Sequence, residues 1–465
     1  MTSDSPDSRI QALVAWAVSN GARIHPSLQV HRSSTTGLSL RVRPQACRGP
    51  NPSEPLLRVP TRLTLSYRDA LLPEASFPGA LLAGAPPHVV GRLFLVWQFL
   101  RGRDSFWAPY VAALPQPGEE EAWALPPFWG GVEAELLEGT NVEVGADKIR
   151  TEVATELDLV RRLLGEDPSS RVASSLAEAL TSSPTLYHWA YCIFSSRSFR
   201  PCLVLSAQDD VLAGRGASLD DFSVLFPLFD IANHAMTASV EWRLDEPRGF
   251  CDLVVDDVFS PGAQIFNNYG LKTNAELLLG YGFMLPVSDE LHNDYAHVRK
   301  RAAADEYLIS LRPLAHASSL LVRSRRQQLG IEPADDVLGA FRHVQPDMVW
   351  DMFCALVPDD HRRRLLLPTP PGLTGDDAER HRRRSFLTGR VTTECRPHLE
   401  QTVALIQHKV LQELERLDET DVDVVGGDAR LLTRNQRLAL DYRARCRQVL
   451  ENTLEAISLD GDDEE

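Results

Sequence analysis

Three stretches hold the side chains best suited to chemistry. "AQIFNNYGLKTNAELLLGYGF" (263–283) sets Tyr269 and Tyr281 at the two ends of a short polar and apolar run. "FPLFDIANHAMTASVEW" (226–242) places Asn233 and His234 directly after an apolar run, and "YHWAYCIFSSRSFRPC" (187–202) ends an apolar helical pattern on Arg197 and Arg200. An arginine at such a boundary pairs with a carboxylate or a phosphate, and an Asn and a His set among apolar residues need partners. Ordinary readings stand beside these: tyrosines half-buried with their hydroxyls on backbone, core polars satisfied at a strand end, a plain surface arginine. A metal is disfavoured, because His234 has only Asp230 near it at a ligand spacing and one carboxylate does not make a site.

Local signals say how these residues are held. Residues 264–268 read as a strand that gives way at Gly270. Thr273 and Glu276 have the spacing of a capping box, which predicts a short helix over 274–279 with Gly280 as its left-handed stop. Tyr281 to Phe283 then turn back, so both phenols can approach one site. Residues 10–19 have helical spacing and stop at Gly21; residues 38–42 and 56–59 read as strands between Pro- and Gly-rich turns. From 68 to about 190 the pattern is helical, a helical insertion, and strand patterns return at 202–206, 239–244, 251–255 and 263–266. Beyond about 291 the chain reads as an all-helical bundle to 457, interrupted by the loop "VPDDHRRRLLLPTPPGLTGDDAERHRRR" and the acidic "DETDVDVVGGDA". An acidic tail, 458–465, reads as disordered.

Composition narrows the classes. The 465 residues are 43% hydrophobic with a formal charge of -16, which argues against a surface built for nucleic-acid phosphates and favours basic partners. The seven cysteines are scattered, without a Cys-x-x-Cys pair, which fits reduced intracellular thiols. "VVGRLFLVWQFL" is too short to span a bilayer and reads as a core helix. No secretory signal is read at the N-terminus.

Taken in order, these segments resemble the SET-domain protein methyltransferases of the Rubisco large-subunit methyltransferase type. The resemblance runs through "WAVSNGARIHPSLQV", "TGLSLRV", "EPLLRVP", "DSFWAPYVAALP", "PPFWGGVEAELLEGTNV", "SSRSF", "FDIANH" and "NNYGLKTNAELLLGYGF", covering most of 16–283. It implies an α+β fold: small twisted sheets with a pseudoknot that lays "FDIANH" beside "NNYG", a SET domain over 8–290, and a C-terminal helical substrate-binding domain over 291–457. The implied cofactor is S-adenosylmethionine, with Asn233 and His234 contacting it, Arg197 pairing with its carboxylate, and Leu38, Glu54 and Leu56 along its length. Tyr281 and Phe283 would close that pocket. Tyr269 takes the place of the catalytic tyrosine, while Phe199 and Asp230 match positions beside the target lysine's tunnel. Methyl transfer from a sulfonium to a neutral amine is an in-line displacement, so alignment by a phenol is the main task and a deprotonating carboxylate is not required.

Two departures bear on this. The family's Gly-x-Gly-Leu turn reads Thr35, Thr36, Gly37, Leu38 here, and Trp242 stands where a tyrosine is common, removing a hydroxyl from the tunnel. The cysteine-rich zinc segment of histone-type relatives is missing, which favours a non-histone substrate. The expected partner is a protein with an exposed lysine in a basic segment, in the ribosomal or translation class, with no direct nucleic acid and no membrane, and the chain is expected to act as a monomer in the cytoplasm or nucleus. Histidine methylation and a catalytically silent binding module are the alternatives.

Overall fold

Short strands with buried faces build the part of the chain that carries the three stretches. In the computed structural model, which describes residues 6–33, 36–206, 208–299, 306–324, 337–421 and 431–462, the chain divides into two compact units. The first comprises Met1–Phe128 with Lys148–Gly270, and the second Trp129–Asp147 with Leu271–Glu465.

The first unit holds three small sheets. One has the order β1 (Arg23–Ile24), β4 (Pro55–Pro60), β10 (Phe250–Val255), β9 (Val240–Asp245), all antiparallel. β10 is buried along nearly its whole length, whereas β9 lies at the edge and turns Glu241 and Arg243 outward. Charged residues on an edge strand block pairing with a further chain. The second sheet runs β2 (Leu28–Ser33), β3 (Gly37–Val42), β11 (Gln264–Asn267), β8 (Asn233–His234), and the third β5 (Leu65–Ser66), β7 (Val224–Leu225), β6 (Ser198–Phe199). β11 is antiparallel to β3 but parallel to β8. The expected juxtaposition of "FDIANH" and "NNYG" is therefore present. Helices pack on these sheets, led by Pro87–Arg101, whose Val89, Val90, Leu93, Phe94, Leu95 and Val96 are all buried, as suits a helix without a free polar face.

The structure departs from the sequence pattern at several places. Residues 202–206 form no strand: Pro201 opens a one-turn 3₁₀ helix, Pro201–Leu203, for which its fixed φ is suited. The capped helix runs from Asn274 to Tyr281, and Gly282 at φ 72°, not Gly280, is its left-handed cap. The capping box itself forms, Thr273 Oγ1 accepting from the Glu276 amide and the Glu276 carboxylate accepting from the Thr273 amide at 2.7 Å.

Among its described residues the second unit is largely α-helical, interrupted by a two-stranded sheet. Tyr295–Arg299 (β12) and Glu306–Ser310 (β13) pair antiparallel inside the segment read as all helix. Tyr307, Leu308, Ile309 and Ser310 are buried in succession, a pattern that suits a strand covered on both faces and that the alanines preceding it conceal. The long arginine-rich loop likewise contains two helices, Asp359–Leu365 and Gly375–Leu387. Each starts on aspartates and ends on arginines, matching the helix dipole, and the pairs Arg362–Asp359, Arg380–Asp377 and Arg382–Glu379 lie one turn apart. The backbone of the last helix, Arg434–Asp462, continues past residue 458, and residues 463–465 lie outside the described residues, as do 422–430 of the acidic loop and Ser34 and Thr35 of the altered turn. No helix among the described residues is long and apolar enough to cross a membrane.

His292 is expected to make the second unit sensitive to acid. Its side chain is fully buried, its Nε2 shares a hydrogen bond with Ser319 Oγ at 3.0 Å, and burial, reinforced by the Arg312 charge, pushes its pKa down to about 4. The folded state thus holds the neutral ring while the unfolded chain takes up a proton, so stability is complete above the ordinary histidine pKa and falls as pH drops from about 6.5 towards about 4. The loss at the acid end is expected to approach about 3 kcal/mol. Urea unfolding of wild type and His292→Asn across that range measures it: the variant's stability should vary less with pH, and an unchanged pH slope would assign the acid sensitivity to other groups.

Candidate active site

The site is built on the two-residue pairing of β8 with β11. Asn233 lies opposite Phe266 and His234 opposite Asn267, and the Ala235 amide donates to the Asn267 carbonyl at 3.0 Å. Just beyond this rung, Asn268 Nδ2 donates to the carbonyls of Met236 and Ala238, each at 3.1 Å, and so holds the chain leaving β8. Tyr269 follows. Its amide donates to His234 Nδ1 at 3.1 Å, its hydroxyl donates to the Ala232 carbonyl at 2.9 Å, and its ring stacks on the imidazole with centroids 5.0 Å apart. Because Nδ1 accepts, the imidazole proton belongs on Nε2. The Tyr269 hydroxyl, with its hydrogen committed to a carbonyl, presents its oxygen as an acceptor.

A second cluster comes from the third sheet. The helix Thr185–Arg197 runs directly into β6, which pairs with β7, and five residues after β7 comes Asp230. Leu228 makes the bend between them at φ 74° and ψ −36°, a positive-φ conformation unusual for a residue with a side chain. Arg197 Nη1 thereby reaches the Asp230 carbonyl at 3.4 Å and its Oδ2 at 3.6 Å. The Asp230 side chain is 2% exposed and that of Arg197 24%. Burial pushes the Asp230 carboxyl up, against the pull of the Arg197 charge and of a hydrogen bond from Tyr110.

The aromatic residues group separately. Trp242 packs between Phe199, at 4.7 Å, and Phe229, at 4.5 Å, with Phe226 stacked on Phe229. Phe229 and Asp230 belong to one 3₁₀ turn, which ties this cluster to the charged pair.

The structure thus brings Asn233, His234 and Tyr269 together, joins Arg197 to Asp230, and joins Phe199 to Trp242. Leu38 and Leu56 lie on β3 and β4, in different sheets; Leu56 is fully buried and Leu38 half-buried. Glu54 is held by Asn51, through its amide at 2.9 Å and its Nδ2 at 2.7 Å, and those bonds hold its carboxyl below the usual range. Tyr281 and Phe283 belong to the second unit, their rings 6.2 Å apart, with burial raising the Tyr281 phenol. Arg200 faces solvent opposite Asp220. One member of the site is not singled out in sequence: Tyr110, in the segment "DSFWAPYVAALP", lies on the short helix Ala108–Ala113. Among the described residues no group of three or more His, Cys, Asp or Glu could hold a metal ion.

No family model matches the chain. Protein-lysine N-methyltransferase EFM1 of Saccharomyces cerevisiae is 27% identical over 299 residues, 58% of this chain and 48% of that protein. Ribosomal lysine N-methyltransferase set10 of Schizosaccharomyces pombe is 25% identical over 312 residues, 63% and 50%. An actin-histidine N-methyltransferase of Gallus gallus is 24% identical over 282 residues, 60% and 42%. The chain spans about half the length of the curated relatives it matches. Among solved structures, the SET domain of LSMT bound to lysine and AdoHcy aligns with a TM-score of 0.58 at 18% identity, covering 99% of this chain and 93% of that one. Rubisco LSMT bound to AdoMet aligns at 0.57 and 18%, covering 97% and 92%. This chain has the fold of those SET-domain structures.

Proposed function

We propose that the chain is an S-adenosylmethionine-dependent protein-lysine N-methyltransferase acting on a non-histone protein. The observation that carries this reading is the interlocked trio on β8 and just beyond β11, in which the Tyr269 amide is fixed by His234 and its hydroxyl by Ala232. A phenol whose direction is set at both ends suits a reaction that depends on alignment.

The residues present fit the cofactor. Asn233 Nδ2 is buried with no hydrogen-bond partner among the described residues, a donor awaiting an acceptor. Arg197 is the cation nearby, and Asp230 is its only carboxylate partner among the described residues, at a separation that leaves the rest of the guanidinium fork available for a ligand carboxylate. Asn233, His234 and Arg197 would hold the cofactor, with Leu38, Glu54 and Leu56 along its length. The cofactor supplies a methyl group on a sulfonium. Tyr269 accepts a hydrogen bond from the substrate amine and fixes the direction of its lone pair. Phe199, Trp242 and Asp230 border the amine's approach, where apolar rings favour the neutral form over the ammonium. The second unit, with the helical stretch over 291–457, would select the protein substrate.

Histidine is the second acceptor to consider. Trp242 presents a ring without a hydroxyl to the Phe199 and Phe229 faces, and some of the similar proteins are actin-histidine methyltransferases. Incubation with labelled cofactor and fractionated extract, followed by mass spectrometry of the labelled protein, identifies the acceptor; label on neither lysine nor histidine would end both readings.

Asn233→Ala should leave a folded protein that loses most S-adenosylmethionine affinity in calorimetry, and unaltered binding would remove Asn233 from the cofactor site. Tyr269→Phe should bind cofactor normally but turn over roughly 10- to 1,000-fold more slowly, the range for losing one transition-state hydrogen bond. Turnover equal to wild type would transfer the alignment role to another group. The acceptor is expected to lie in a basic segment of a ribosomal or translation protein. Since the chain carries -16, kcat/KM on that substrate should fall steeply as salt rises; a flat profile would show that the acidic surface does not steer.

A further inference from the structure

A third side chain closes around the charged pair of the first unit. Tyr110 is 1% exposed, and its hydroxyl donates to Asp230 Oδ2 at 3.1 Å, the same oxygen that faces Arg197 Nη1 at 3.6 Å. Asp230 Oδ1 is buried with no partner among the described residues. Tyr110 comes from a distant stretch of sequence and is anchored independently of the pair. It sits in the helix Ala108–Ala113, next to Trp107, whose indole Nε1 donates to the carbonyls of Leu63 and Thr64 at 3.1 Å.

We propose that Tyr110 is a positioning residue for cofactor binding: its hydroxyl fixes the Asp230 carboxylate and so sets the direction in which Arg197 offers its guanidinium. This rests on the reading that Arg197 meets the carboxylate at the amino-acid end of S-adenosylmethionine. A buried carboxylate with few donors is costly, and the donor it can recruit most strongly is an arginine fork, which binds a carboxylate through two parallel N–H groups. Were Asp230 to take Arg197 in that way, little of the fork would remain for a ligand. The Tyr110 hydroxyl occupies Oδ2 and leaves Arg197 a single long contact there. Burial beside Asp230 pushes the Tyr110 phenol far up, so it remains a donor at every working pH. The Asp230 backbone is held in place, its amide donating to the Phe226 carbonyl at 3.3 Å and Leu228 making the bend before it.

The test uses the full chain and two ligands, S-adenosylhomocysteine and methylthioadenosine, which keeps the nucleoside and thioether but lacks the amino-acid end. In calorimetry, Tyr110→Phe should bind S-adenosylhomocysteine roughly 5- to 50-fold more weakly, while methylthioadenosine stays within about twofold of wild type, as expected when one hydrogen bond to a charged group is lost. Equal weakening toward both ligands would make Tyr110 a structural residue only, and no weakening toward either would remove it from the site; each overturns the proposal. Wild-type protein that binds neither ligand would instead overturn the cofactor reading on which the proposal rests. Should Tyr110→Phe melt early, Asp230→Asn takes its place: the same selective loss supports the proposal, and a loss shared by both ligands refutes it.

Discussion

Two rungs of parallel pairing hold the site together. β8 and the matching part of β11 contribute two residues each, Asn233 with His234 and Phe266 with Asn267, far too few to be stable in isolation. They persist because β11 is also paired antiparallel with β3, and because Asn268 fastens the chain that leaves β8 through two carbonyls. Sliding this register by one residue would turn Asn233 and His234 to the opposite faces. The Tyr269 amide would then lose His234 Nδ1, and the phenol would lose one of the two bonds that direct it.

The charged pair depends on a different kind of constraint. Arg197 ends a helix and Asp230 lies in a 3₁₀ turn, and the pairing of Ser198 with Leu225 and of Phe199 with Val224 links the two elements. So short a ladder fixes distance but not direction. Direction comes from the Leu228 bend and from the Tyr110 hydroxyl, the first a strained backbone and the second a buried hydrogen bond. Both have to be maintained by the surrounding core, where Phe226, Leu228 and Phe229 are fully buried.

The residues that sequence made legible are those whose type contradicts their surroundings. Asn233 and His234 after "FPLFDIA", and Arg197 at the end of an apolar helix, stand out because polar groups in such places must be paired. The Thr273–Glu276 box was equally readable, since its partners are three residues apart. Partners distant in sequence leave no such trace. Tyr110 meets Asp230 across 120 positions, and nothing in "APYVAA" distinguishes a tyrosine that donates to a buried carboxylate from one that fills a core. The choice between Gly280 and Gly282 was similarly closed to sequence, because either could stop the helix and only packing decides how far it runs. The strand at 306–310 was hidden for the opposite reason: continuous burial erases the alternation by which a strand is recognised.

Trp242 shows how a single difference can be read too narrowly from sequence. Counted as a missing tyrosine, it subtracts a hydroxyl. In the structure it adds a wall, its ring lying against both Phe199 and Phe229 and joining β9 to the turn that carries Asp230. Under the proposed methyltransferase reading, an apolar wall beside a buried carboxylate would have two opposed effects on a substrate amine: desolvation favours its neutral form, whereas the Asp230 charge favours the ammonium. On that reading Asp230 would tolerate a neutral amine only while its own charge is engaged elsewhere. The contacts to Tyr110 and Arg197 engage it, which makes the arrangement of that buried trio a condition for the chemistry proposed at Tyr269.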